Sequence, residues 1–138
     1  LLDLDDPAFA APGNMPAKIA AQCARTGQRA PGTPGEFARV ILESLAASYA
    51  RVIGILQEIT GKQFRRLHIV GGGSRNELLN QMAADATGLE VLAGPVEATA
   101  LGNVLTQALS AGQIGSLAQG RKLVARTAGL QRYTPAGR

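Results

Sequence analysis

LHIVGGGSRNELLNQMAADATGLEVLAG, residues 67–94, is the stretch that decides the fold of this 138-residue chain. Residues 65–70, RRLHIV, predict a short buried strand, and three glycines end it at residues 71–73. Residues 90–93 predict a second strand. Because a helix separates them, the strands are expected to be parallel, which indicates an α/β fold. The apolar face of that helix is predicted to contain Leu78, Leu79, Met82, Ala83 and Ala86.

Helices are predicted on both sides of this unit. Thr33, Pro34 and Glu36 form a capping-box pattern, which predicts a helix running to about Thr60. This helix is apolar around most of its circumference, so we expect it to pack on two sides. Further helices are predicted over residues 16–26, 98–111 and 116–128, an extended lead-in over residues 1–14, and a tail over residues 130–138.

The predicted sheet is too small to be stable alone. Two parallel strands do not make an independent sheet, and parallel sheets are normally covered on both faces. We therefore expect upstream strands, or strands of another copy of the chain, to complete it; the second case means self-association. Length suits one domain or part of one, and the start at Leu1 without methionine indicates an internal fragment.

Composition excludes several classes of protein. A hydrophobic content of 46% is too high for a disordered chain, and no run reaches the roughly 18 apolar residues of a membrane span. Cys23 is the only cysteine, which excludes an intrachain disulfide and a zinc cluster. Aromatic residues make up 4%, which argues against a nucleic-acid surface. The acid-free stretch after Glu97 is interpreted as a solvated helix face and a frayed end; its basic residues are Arg121, Lys122, Arg126, Arg132 and Arg138.

The loop formed by Gly71, Gly72, Gly73, Ser74 and Asn76 is the candidate site. Glycines let a ligand approach the main chain, and a helix N-terminus offers free N–H groups that favour an anion. This pattern suits a phosphate or a nucleotide, with the Asn76 amide available to a polar ring or ribose. The same residues also suit an ordinary strand-to-helix turn in which Asn76 caps the helix. The residues alone leave both interpretations open.

Other chemistry is poorly supported. A Walker loop requires a lysine, and none lies between Lys62 and Lys122. A dinucleotide fingerprint requires a third glycine, but Asn76 stands at that position. Its acidic residue would be Glu90, which lies at the start of the second strand, whereas the fingerprint places it at the end. No catalytic residue and no metal site are predicted. Three further candidates are given structural roles. His68 is expected at a sheet surface, Cys23 in a core and Glu97 at a helix end.

Several motifs across nearly the whole chain match one family. The main ones are LHIVGGGSRN at residues 67–76, LLNQ at 78–81, AD at 84–85 and GPVEATALGN at 94–103. Shorter matches are NM at 14–15, TGQ at 26–28, SLA at 44–46 and YTP at 133–135. Together they resemble the C-terminal domain of the FGGY carbohydrate kinases. The combination of GGGxxN with GPVEA is far more specific than the glycines alone.

This resemblance implies an actin-like, ribonuclease-H-like ATPase fold, with the nucleotide in a cleft between two domains. The ATP-binding residues it implies are Gly71, Gly72, Gly73, Ser74 and Asn76. Gly72 would approach the nucleotide through its backbone, Asn76 would lie near the adenine, and residues 97–102 would pack behind the loop.

The resemblance also implies the reaction and its setting. Mg-ATP would phosphorylate a ketose, first of all L-rhamnulose, with fuculose and xylulose left open. The catalytic Asp, the sugar contacts and most magnesium ligands would lie upstream in a missing N-terminal domain, so the fragment alone is expected to be inactive. The protein would be cytoplasmic, with no nucleic-acid or membrane partner.

Two alternatives remain at this point. One is a fragment of a dinucleotide-binding oxidoreductase, which would bind NAD more tightly than ATP. The other is a non-catalytic interaction module that uses the alanine-rich helix from Glu36 and has no affinity for nucleotides.

Overall fold

A computed structural model describes residues 1–137; Arg138, a member of the predicted tail, lies outside the described residues. The chain forms two compact units, which divide after Lys62. Each unit has its own helices, and the sheet belongs to the second.

The first unit contains two helices, α1 (Met15–Arg25) and α2 (Pro34–Thr60). The predicted capping box at the start of α2 is confirmed: Thr33 Oγ1 accepts from Glu36 N at 3.2 Å, and the Glu36 carboxylate accepts from Thr33 N at 3.1 Å. Gly61 ends α2 in the left-handed conformation, with φ 64°. α2 therefore lies where its local capping signals predict it, and α1 begins and ends one residue before its predicted range of 16–26.

The core of the first unit includes the start of the chain. Leu2 is buried with Ile19 and Cys23, and its N–H donates to Ser44 Oγ at 2.8 Å. Residues 1–14, expected as an extended lead-in, thus pack onto this unit, and a 3-10 turn forms at Pro7–Phe9. Cys23 is 2% exposed, which confirms it as a packed thiol. The side chains packed against this core are Leu4, Phe9, Met15, Phe37, Val40 and Ile41.

The second half of α2 carries apolar side chains that the described residues leave exposed. They are Val52, Ile55, Leu56 and Ile59, the last 76% exposed. The prediction of a helix packed on two sides is therefore wrong for the described chain, in which only Ser44 and Ala46 of α2 are buried. By length and composition alone α2 could also cross a membrane, a test that core helices of soluble proteins pass too.

Two carboxylates of the first unit have lowered pKa values. The side-chain amide of Gln22 holds the pKa of Asp6 below its ordinary 3.8. The Gly32 N–H likewise holds the pKa of Glu36 below its ordinary 4.5. A carboxyl with a lowered folded pKa stabilises the fold above its unfolded pKa, and this contribution is lost as pH falls through the folded value.

We therefore expect the free energy of unfolding to be level above about pH 5.5 and to fall below about pH 4.5. Urea denaturation followed by circular dichroism at a series of pH values measures it. The double variant Asp6→Asn, Glu36→Gln should show a shallower acid slope than the wild-type chain. Identical slopes in the two proteins would contradict the prediction.

The second unit is a small mixed α/β structure. Its elements are β1 (Arg66–Ile69), α3 (Glu77–Thr87), β2 (Glu90–Ala93), α4 (Ala98–Ser110), α5 (Leu117–Thr127) and β3 (Gln131–Tyr133). The predicted parallel pairing of β1 with β2 is confirmed, with Leu67 opposite Val91. β3 lies antiparallel on the other side of β2, so the sheet order is β1-β2-β3. This third strand lies within residues 130–138, which were predicted only as a tail.

α3 packs on β2, but through a slightly different face from the predicted one. Its buried residues are Leu79, Asn80, Ala83 and Ala84, whereas Leu78 is 50% exposed. Opposite them Val91 is fully buried and Ala93 nearly so. The buried arc therefore includes a polar residue, Asn80, that was not assigned to the apolar face.

Glu90 joins the three strands. Its carboxylate accepts from Arg66 Nε of β1 at 2.5 Å and lies 2.6 Å from Arg132 Nη1 of β3. After β3, Gln81 of α3 donates to Thr134 O at 2.9 Å, and Asp85 accepts from Ala136 N at 2.8 Å. The residues that follow β3 are thereby tied to α3.

The last two helices are less well covered. No residue of α4 is buried, and Val104 on its predicted apolar face is 61% exposed. The capping box predicted for α5 is only partly formed: Ser116 Oγ accepts from Gln119 N, but Gln119 Oε1 accepts from Gly115 N, not from Ser116 N.

Candidate functional site

The glycine loop joins β1 to α3, and its first residue requires glycine. Gly71 has φ 76° and ψ −161°, a conformation that essentially only glycine adopts. Gly72–Arg75 then form one 3-10 turn, and α3 begins two residues later at Glu77. Gly71 is therefore required by the backbone itself, whatever the loop binds.

Gly72 and Gly73 have a different role, because neither has a positive φ. A Cβ built on Gly72 has no heavy atom within 4 Å, and one on Gly73 has Ile69 Cγ2 as its nearest neighbour, at 3.9 Å. Both glycines are exposed. The described residues thus leave the main chain open at Gly72, as a ligand lying against the backbone requires.

Ser74 faces the interior of the loop. It is 7% exposed, and its Oγ donates to Gly71 O at 2.6 Å, while its backbone N–H donates to the same oxygen at 3.1 Å. The N–H of Gly71 in turn donates to Pro95 O at 3.0 Å, in the segment after β2. The Ser74 hydroxyl therefore closes the turn.

Asn76 caps α3. Its Oδ1 accepts from Leu79 N at 3.0 Å, which is the N-cap arrangement that one reading of the sequence predicted. The residue is exposed, and its Nδ2 is not part of the cap. The capping role and a contact from Nδ2 to a ligand are compatible, since they use different atoms.

The N-terminus of α3 is poorly suited to a phosphate. One of its free N–H groups is taken by the Asn76 cap, and Glu77 places a carboxylate in the first turn, where it opposes a second negative charge. The open backbone at Gly72 is uncharged. Together these features fit the nucleoside part of a nucleotide better than its phosphates.

A separate cavity of about 670 Å³ lies over the other face of the sheet, against α4 and α5. Its walls are mainly apolar side chains, among them Val70, Leu92, Leu101 and Leu105. Arg66, His68 and Arg121 also line this cavity, but no residue of the glycine loop does, so it is separate from the candidate site.

The remaining sequence candidates are not brought into the loop. His68 is exposed on β1, as predicted for a sheet surface, and Glu97 precedes α4 without a side-chain cap. Among the described residues no three His, Cys, Asp or Glu side chains form a group that could hold a metal ion. Sequence reasoning missed the contact of Asn80 Nδ2 with Ser74 O at 2.9 Å. The sequence signal for this contact was that Asn80, a polar residue, has the helical spacing of the buried face of α3.

The sequence model for the C-terminal domain of the FGGY family of carbohydrate kinases matches residues 1–111. The chain belongs to this family. The FGGY C-terminal domain has the actin-like ATPase fold, as the family resemblance implied. The dinucleotide-binding oxidoreductase and the helical interaction module are not supported by these matches.

Three curated relatives of this FGGY domain are rhamnulokinases. The chain is 45% identical to the rhamnulokinase of Halalkalibacterium halodurans over 137 residues, which cover 99% of the chain and 29% of the relative. It is 44% identical to that of Bacteroides thetaiotaomicron, and 43% to that of Klebsiella pneumoniae strain 342. Each of these two alignments covers 98% of the chain and 28% of the relative. The chain thus spans less than a third of the length of these relatives.

Proposed function

We propose that this chain provides the adenosine-binding part of an ATP-dependent sugar kinase. The observation that carries the proposal is the open main chain at Gly72, held beside a glycine whose conformation is fixed at Gly71. Membership of the FGGY family supports ATP as the nucleotide. When bound, ATP would supply the phosphoryl group that is transferred to the sugar.

Each loop residue has a distinct part in this proposal. Gly71 sets the turn, and Gly72 and Gly73 present backbone to the ribose and adenine. Ser74 closes the turn from inside, where its hydroxyl is engaged. Asn76 caps α3 through Oδ1 and offers Nδ2 to the adenine edge.

The catalytic base, the sugar contacts and the magnesium ligands are proposed to lie outside this chain. The described residues hold no group of acidic side chains that would suit the metal, and the chain spans only 28–29% of its rhamnulokinase relatives. From the relatives' name we propose L-rhamnulose as the sugar and L-rhamnulose 1-phosphate as the product. We further propose a cytoplasmic protein with no membrane or nucleic-acid partner.

The test compares the full-length kinase with this chain alone. We expect the full-length protein to phosphorylate L-rhamnulose with Mg-ATP, whereas the chain alone should bind ATP weakly and show no turnover. Calorimetry with ATP and with NAD, together with a coupled assay for ADP release, measures both. Tighter binding of NAD than of ATP would refute the proposal. Turnover by the chain alone would show that the base lies within these residues.

A further inference from the structure

Asn80 is a buried polar side chain of α3 that contacts the glycine loop. It is 0% exposed, and its Nδ2 donates to Ser74 O at 2.9 Å. Within the part of the chain that the structure describes, its Oδ1 accepts no hydrogen bond. A buried acceptor without a partner destabilises a fold, and an apolar side chain of similar size avoids that cost. Packing stability alone therefore does not account for an asparagine here, and its one hydrogen bond is the feature to explain.

That hydrogen bond begins a chain of contacts through the loop. Asn80 Nδ2 donates to Ser74 O, and Ser74 Oγ donates to Gly71 O. Gly71 N in turn donates to Pro95 O. All three acceptors are main-chain oxygens, so these bonds fix the course of the backbone on both sides of Gly72. The distances, 2.9, 2.6 and 3.0 Å, are those of well-formed hydrogen bonds.

We infer that Asn80 is a positioning residue for nucleotide binding, which acts through the Ser74 carbonyl to hold the Gly72 backbone where adenosine lies. It does not touch the nucleotide, because it is fully buried behind the loop. This inference rests on the proposed function, and it predicts a defect in ATP binding without a matching defect in sugar binding.

The test uses Asn80→Asp, whose carboxylate has the same shape but cannot donate, and Asn80→Leu, which removes both polar atoms. In the full-length kinase we expect the KM for ATP to rise about tenfold in both variants. The KM for the sugar should stay unchanged, and kcat should stay within about twofold. Leu79→Ala is the matched control: it shortens the adjacent buried side chain, so it should lower the Tm and leave the KM for ATP unchanged.

Two results would overturn the inference. One is a KM for ATP within about twofold of wild type in both Asn80 variants. The other is a fall in kcat alone, because loss of folded enzyme lowers the active fraction without changing either KM. If the wild-type protein does not use ATP, the proposed function fails instead.

Amide hydrogen exchange then still tests the positioning role. Faster exchange at residues 71–76 in Asn80→Leu, but not in Leu79→Ala, would support it. Equal exchange in the two variants would refute it.

Discussion

Gly72→Val is expected to weaken ATP binding by the full-length kinase by about 100-fold, or ~2.7 kcal/mol, while its Tm stays within about 2 °C of wild type. The reason is that nothing in the described chain lies within 4 Å of a Cβ at Gly72, and the residue has no positive φ. The fold therefore accommodates the side chain, whereas the proposed binding of adenosine against this backbone would not. Calorimetry with ATP and thermal denaturation of the same samples measure the two effects.

Gly54→Val is a matched control for this variant. Gly54 also has no heavy atom within 4 Å of a built Cβ and no positive φ, but it lies in α2 of the first unit. We expect it to bind ATP as wild type does. Wild-type affinity in the Gly72→Val protein would show that no ligand lies against the loop at this point.

Gly71→Ala is expected to affect both stability and binding. Its φ of 76° and ψ of −161° lie in a region that costs a non-glycine residue about 1–3 kcal/mol. Relief of this strain would displace the bond from Gly71 N to Pro95 O and the Gly71 carbonyl that Ser74 holds. We therefore expect the free energy of unfolding to fall by about 1–3 kcal/mol and ATP affinity to fall at least about tenfold.

Gly73→Ala is the control here, since its Cβ would make an ordinary contact at 3.9 Å with Ile69 Cγ2. Its unfolding free energy should stay within about 0.5 kcal/mol of wild type. Urea denaturation measures all three proteins. If Gly71→Ala and Gly73→Ala were equally stable, the backbone requirement at Gly71 would be wrong.

The elements that could be predicted from sequence are those specified by neighbouring residues. The Thr33–Glu36 capping box and Gly61 place both ends of α2, and Gly88 ends α3 with φ 69°. The parallel pairing of β1 and β2 follows from the intervening helix. These signals act within a few residues, so they hold whatever lies elsewhere in the chain.

What the sequence did not predict depends on distant partners. β3 has only three residues, Gln131–Tyr133, and it becomes a strand by pairing with β2 some forty residues earlier. The buried arc of α3 is set by its position on β2, so Asn80 is buried and Leu78 is not. The outer half of α2 is exposed among the described residues, although its apolar sequence predicted a helix packed on two sides.

The candidate site shows the same division. Three consecutive glycines after a strand locate the loop, because few other local structures need them. The capping role of Asn76 was one of the two interpretations of the sequence, and the structure shows it. The sequence does not show that the Ser74 hydroxyl is turned inward, since this follows from where the Gly71 carbonyl finds its donors. The sequence also does not distinguish Gly71, whose positive φ requires glycine, from Gly72, beside which there is open space. That distinction is a property of the folded loop.

The position of β3 at one edge of the sheet affects where a further strand could pair. β2 is paired on both sides, so the edge strands of the sheet are β1 and β3. β3 is only three residues long, and the residues after it are hydrogen-bonded to α3. The β3 edge is therefore a weak template for pairing with a further strand. Addition of another strand is therefore favoured alongside β1.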